Sequence, residues 1–100
     1  MKRLIPFIFV NDTANCNERV TIETESVIIV TVGVKDYAEA GAVAKEYADK
    51  GATAIELCSA FGPKGIVAVV DALENRIPVG AISFDKHPGV SSESGDTKFL

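Results

Sequence analysis

Between Val27 and Phe84 the chain switches repeatedly between short apolar runs and helix-patterned segments, and no other feature constrains the fold as strongly. VIIVTVG (27–33) is a continuous β-branched run, the pattern of a buried strand. A helix follows: Asp36 and Glu39 are spaced as a capping box, Tyr37, Ala40, Ala44, Tyr47 and Ala48 recur at helical spacing, and Gly51 is placed to end it. TAIELC (53–58) reads as the next strand. Pro63 suits the first turn of a second helix striped by Ile66, Val70, Leu73 and Ile77, which Pro78 closes before a last strand, Val79–Phe84.

Strands alternating with helices imply parallel pairing and right-handed crossovers. Upstream, Arg3–Val10 reads as a strand. Pro6 cannot donate to a ladder, which places that strand at or near an edge. NDTANCNER (11–19) is loop-like, and RVTIE (19–23) is either a short strand or an extended lead-in. The expected fold is α/β: a mostly parallel sheet of four to five strands with two helices on one face, a barrel fragment or a Rossmann-like β-α-β-α-β unit. Residues 1–100 are expected to form a single domain, with 86–100 as a C-terminal arm.

Composition narrows the function classes. With 47% apolar residues in 100, general disorder is excluded and a real core is expected. The net charge of −4 and the lack of a basic tract argue against nucleic acid. LIPFIFV is too short for a membrane span and lacks signal-peptide flanks. Cys16 and Cys58 show no metal spacing and read as free thiols in a reducing cytoplasm.

Side-chain alternation sorts the strands into two faces. Ile28, Val30, Val32, Ile55, Leu57, Gly80, Ile82 and Phe84 are assigned to the helix side. Val27, Ile29, Thr31, Ala54, Glu56, Cys58, Val79, Ala81, Ser83 and Asp85 form the other face, apolar at first and polar toward the strand C-termini. Each valine or isoleucine left in water there forgoes roughly 1.5–3 kcal/mol. Homo-oligomerisation, the C-terminal arm or curling of the sheet would cover that face, with a homo-oligomer preferred.

Open α/β sheets bind ligands beyond the carboxyl ends of their strands, where Glu56, Cys58, Ser83 and Asp85 are expected to converge, joined by Asn11, Asp12 and His87. Glu56, in an otherwise apolar strand, is a candidate general base or ligand anchor, or else an interface carboxylate. FGPKG opens a helix whose amides, with Lys64, suit a small anionic ligand; alternatively Gly62 and Gly65 relieve crowding in a tight turn. Asp85 and His87 read as an acid–base pair, as divalent-metal ligands together with Glu56, or as a turn. Cys58 is a nucleophile candidate or inert packing, and Phe61 walls a pocket or plugs the core.

The motifs IELC-x-x-FGPKG, RIPVGAISFD and FDKHPG-x(5)-GD resemble a family of small uncharacterised bacterial proteins, a domain of unknown function, most clearly from VGVKDYAEA onward. That resemblance implies no activity. Residues 43–83 are similar in cadence to a β-α-β unit of keto-deoxy-phosphogluconate aldolases, in which the glutamate matching Glu56 assists proton transfer. CSAFGP replaces that family's arginine-containing turn, so the similarity implies a barrel-like unit with its carboxylate pointing away from the helices, not aldolase chemistry. Two functions stand: a small-molecule site, catalytic or binding, at the strand C-termini, or a non-catalytic homo-oligomer whose polar cluster sets interface register.

Overall fold

The computed structural model describes residues 2–82 and 84–100. Five strands form one sheet: β1 (Arg3–Val10), β2 (Arg19–Glu23), β3 (Val27–Val34), β4 (Ile55–Leu57) and β5 (Val79–Ala81), in the order β2-β3-β1-β4-β5. All pairings are parallel except β2 with β3. Three helices accompany it: α1 (Tyr37–Asp49), α2 (Pro63–Leu73) and the short α3 (Asp96–Phe99). RVTIE is thus a strand, and it returns on β3 through a tight turn in which Thr24 N–H donates to the Val27 carbonyl at 2.8 Å.

β1 lies at the centre of the sheet, which corrects the edge placement drawn from Pro6. The Leu4 and Ile8 carbonyls accept from Thr53 and Cys58, so the even-numbered residues of β1 address the β4 side. The donor missing at Pro6 therefore faces β4, whose paired register begins only at Phe7↔Glu56. The ladder to β3 runs unbroken from Arg3 to Val10. Proline costs little in a central strand when its blank nitrogen meets no partner.

The capping box at α1 forms: Asp36 accepts from the Glu39 amide at 2.9 Å, and the Glu39 carboxylate accepts from the Lys35 amide at 3.1 Å. Gly51, at φ +96°, follows the helix in the left-handed region that glycine tolerates. α2 begins at Pro63 as expected but stops at Leu73, earlier than Pro78. Glu74 and Asn75, at φ 53° and 59°, turn the chain out of the helix. α1 and α2 pack side by side so closely that a Cβ at Gly41 would stand 2.8 Å from that of Ala72.

Both helices cover one face. Ile8, Val32, Ile55 and Leu57 of the sheet meet Ala40, Val43, Ala44 and Tyr47 of α1 and Val69 and Leu73 of α2, all buried. Each large apolar side chain removed from water there stabilises the fold by roughly 1.5–3 kcal/mol. Arg19 holds β2 to α1 from the same side, donating to Glu46 at 2.6 and 3.1 Å and to the Tyr47 hydroxyl at 2.9 Å. That pairing pushes the Glu46 carboxyl below its ordinary range and raises the Arg19 guanidinium further.

The opposite face carries Ile5, Phe7 and Phe9 of β1, Val27, Ile29 and Thr31 of β3, Val20 and Ile22 of β2, and Glu56. The β5 assignment needs correction. Glu56 pairs with Gly80, so Val79 and Ala81 fall on the helix side and Gly80 on the open face. VGA is too short and too poor in large side chains for its own alternation to set its face; the register with IEL decides it. The expected last strand stops at Ala81, and its position at Ser83 lies outside the described residues.

The C-terminal segment packs on the helix side. A 3₁₀ turn spans Pro88–Val90, and Val90 and Phe99 are buried in the core, with Phe99 6.2 Å from the Tyr37 ring. The open face keeps Phe9, Val20 and Ile22 exposed, and Ile82, just beyond β5, is exposed as well. Among the described residues no helix is long and apolar enough to cross a membrane.

Candidate functional site

At the carboxyl ends of β4 and β5, beside Phe7 of β1, a cleft of about 460 Å³ opens between the strands and the connections that leave them. Phe7, Glu56, Leu57, Cys58, Ser59, Gly80, Ala81 and Ile82 line it. Alternation along IELCS places Glu56 on the open face while Ile55 and Leu57 enter the core. Gly80, opposite Glu56, adds no side chain, and this leaves the carboxylate room. An aromatic ring, an isoleucine, a half-buried thiol and a hydroxyl complete the wall around one exposed carboxylate. Among the described residues no cationic side chain lines the cleft.

Ser59 ties this cleft to the C-terminal segment. Gly89 N–H donates to His87 Nδ1 at 3.0 Å, so Nδ1 carries the lone pair and Nε2 the proton, and Nε2–H donates to Ser59 Oγ at 3.2 Å. In that tautomer the imidazole lone pair faces the Gly89 amide and not Ser59. Phe84 packs on the imidazole at 5.1 Å. The Asp85 carboxylate accepts from its neighbour's amide, Lys86 N–H, at 2.8 Å, as a turn residue does. Among the described residues no three histidine, cysteine, aspartate or glutamate side chains converge to hold a metal, so Glu56, Asp85 and His87 are not gathered into a ligand set.

The α2 N-terminus is satisfied from within the chain. Both carboxylate oxygens of Asp96 accept from the Lys64 amide at 3.1 Å, and the Tyr37 hydroxyl donates to Asp96 Oδ1 at 2.8 Å while accepting from Gly62 N–H at 2.9 Å. The anion that FGPKG was expected to take is here the side chain of Asp96. Burial, opposed by the Gly62 amide and reinforced by Asp96, holds the Tyr37 phenol well above its ordinary pKa. Gly62 and Gly65 leave space for these groups: a Cβ at Gly65 would stand 2.7 Å from the Tyr37 ring, and one at Gly62 would run into Asp96. Phe61 is fully buried and stacks on Tyr37 at 5.5 Å, a core plug.

Asn11 belongs to a separate hollow, with Phe9, Thr13, Ala14, Asn15, Glu18 and Gly33. Its carboxamide accepts from Thr13 N–H at 2.9 Å and from the Thr13 hydroxyl at 2.5 Å, which closes the turn after β1. Asp12 lies in the same turn and pairs with Lys98 at 3.4 Å. The structure therefore brings together Glu56 and Cys58, with His87 reaching their cleft through Ser59. It sets Asn11, Asp85 and the Gly62–Gly65 turn to other tasks. Sequence reasoning missed Ser59, Phe7 and Asp96. Phe7 shares the face of Glu56 only through the β1–β4 register, which the sequence does not reveal, and Asp96, 32 residues beyond the amide it caps, left no local signal.

The fold and cleft define a small α/β protein built on a mostly parallel five-stranded sheet, with its helices on one face and a carboxylate-bearing cleft at the strand ends. The chain belongs to a family of unknown function (DUF6506), whose family model matches residues 4–97. No curated protein and no solved structure gives a significant match.

Proposed function

We propose that the protein binds a small organic molecule in the Glu56 cleft, and that the ligand bears an amine or hydroxyl donor on an apolar body. The observation that carries this reading is the composition of the cleft: one carboxylate among Phe7, Ile82 and Cys58, at the carboxyl end of a parallel sheet. Its size falls within the usual range for small-molecule sites, roughly 300–1,000 Å³. A carboxylate without a neighbouring cation repels anions and accepts from ammonium or hydroxyl groups. This reverses the sign of the ligand expected from FGPKG, where Asp96 already accepts from the Lys64 amide and the Tyr37 hydroxyl from the Gly62 amide. The reading is one of binding: the carboxylate and the apolar wall of the cleft supply recognition whether or not chemistry follows.

A thermal-shift screen of amines, polyols and organic acids tests it. Amines or polyols raise the melting temperature of the wild type and leave Glu56→Gln unmoved. Stabilisation by organic acids, or equal stabilisation of Glu56→Gln, overturns the reading.

Self-association is a second reading, favoured by the open sheet face. Val20 and Ile22 are 66% and 63% exposed there, beside Phe9 at 38%. An apolar array of this kind on a sheet face marks a contact surface. The cleft and the contact surface are compatible, because Glu56 lies toward the β5 end of the face and β2 at the other.

A further inference from the structure

The sheet ends at β2, and the hydrogen-bond pattern fixes which of its backbone groups are free. Arg3 N–H donates to the Ser26 carbonyl and Asn11 N–H to the Val34 carbonyl, so the even-numbered residues of β3 address β1 and the odd-numbered ones address β2. With the register Val20↔Thr31 and Ile22↔Ile29, Val20 and Ile22 bond to β3. Arg19, Thr21 and Glu23 then direct their N–H and C=O groups away from the sheet.

The sequence along this edge, Arg-Val-Thr-Ile-Glu, complements itself when reversed. We propose that two copies of this chain pair through β2, antiparallel, with the two-fold axis at Thr21, and continue one sheet across the dimer. The inference rests on the self-association reading and names its contact. An axis at Thr21 sets Arg19 opposite the second copy's Glu23, Thr21 opposite its equivalent, and Val20 opposite Ile22. Outward-facing residues then meet outward-facing residues, and the free amides and carbonyls of the edge are satisfied. Displacing the axis by half a residue opposes outward with inward groups and loses those bonds. Displacing it to Val20 or Ile22 keeps the bonding parity but leaves strand residues unpaired; only Thr21 engages all five residues of β2.

The side chains fit the same axis. Arg19 and Glu23 project on the helix side, where Arg19 already meets Glu46 and Glu23 meets Lys2. Opposing them across the axis links these pairs into a row of alternating charge. Val20 and Ile22, among the most exposed apolar residues, become cross-strand neighbours on the open face.

Light scattering after size exclusion, on the full chain across a concentration series, tests this. The wild type runs as a dimer. Thr21→Pro runs as a monomer with unchanged far-UV circular dichroism, because the Thr21 N–H makes no bond to β3 and proline is tolerated on such an edge. Glu23→Arg sets arginine against Arg19 twice by symmetry and weakens dimerisation roughly tenfold or more, less so at high salt; it decides the matter if Thr21→Pro fails to fold. Ile82→Ser, at the far end of the sheet, leaves the dimer intact. A dimer that persists in both Thr21→Pro and Glu23→Arg overturns edge pairing while self-association stands, whether or not Ile82→Ser dissociates it. A wild type that is monomeric at every concentration overturns both.

Discussion

Removing the carboxylate of Asp96 tests whether the α2 N-terminus is capped from within the chain. In Asp96→Ala the Lys64 amide loses two acceptors at 3.1 Å, and the Tyr37 hydroxyl loses the acceptor it reaches at 2.8 Å. Hydrogen bonds to a charged group contribute about 1.5–3 kcal/mol, and loss of a helix cap costs about 0.5–2 kcal/mol. The two describe one carboxylate, half-buried and partly screened, so they do not add; about 2 kcal/mol is the expected loss. For a chain of this size each kcal/mol lowers the melting temperature by roughly 4–8 °C, which gives a fall of roughly 8–16 °C by calorimetry. Asp96→Asn keeps an acceptor without the charge and falls between. Amide exchange supplies the local readout: Lys64 N–H loses protection in Asp96→Ala, whereas the core amides of β1 follow only the global loss. A melting temperature lowered by less than about 2 °C, with Lys64 protection unchanged, would refute the internal cap.

Two further outcomes follow from the packing and the ion pairs. Glu46 is held below the ordinary glutamate range by Arg19, so the folded state resists its protonation; the resulting stability is present above that range and is lost as pH falls through the folded-state pKa, and Glu46→Gln flattens this acid limb in urea titrations between about pH 6 and about pH 3. Phe61→Ala, at a fully buried ring stacked on Tyr37, costs about 3–5 kcal/mol in the same assay, and a loss below about 1 kcal/mol would contradict its role as a plug.

What could be read in advance was what is local or periodic. The capping box at Asp36 and Glu39, the Pro63 start of α2 and the burial of Val30, Val32, Ile55 and Leu57 each depend on neighbours a few residues away. What could not be read depends on strand order. Pro6 suggested an edge because the sequence does not reveal which neighbour its missing donor faces, and only the late start of the β4 register makes the central position tolerable. Val79, Gly80 and Ala81 were placed on the wrong side because a three-residue strand takes its face from β4.

The site divides in the same way. Glu56 was legible as a carboxylate in an apolar strand, and Cys58 followed from the same alternation. The FGPKG turn has the local features of an anion site, but its anion comes from Asp96, beyond the reach of any spacing rule. His87 was noticed as the single histidine, yet its tautomer follows from the Gly89 amide two residues on and its placement from Ser59 across the fold.

Amide-resolved NMR of the full chain against a small panel of amines and organic acids addresses the Glu56 cleft most directly. Shift changes on amine addition should cluster at Phe7, Glu56, Cys58, Ser59 and Ile82 and disappear in Glu56→Gln. Changes that gather instead at Gly62–Gly65 and Asp96, that follow the acids, or that persist in Glu56→Gln would contradict the assignment of that cleft as the binding site.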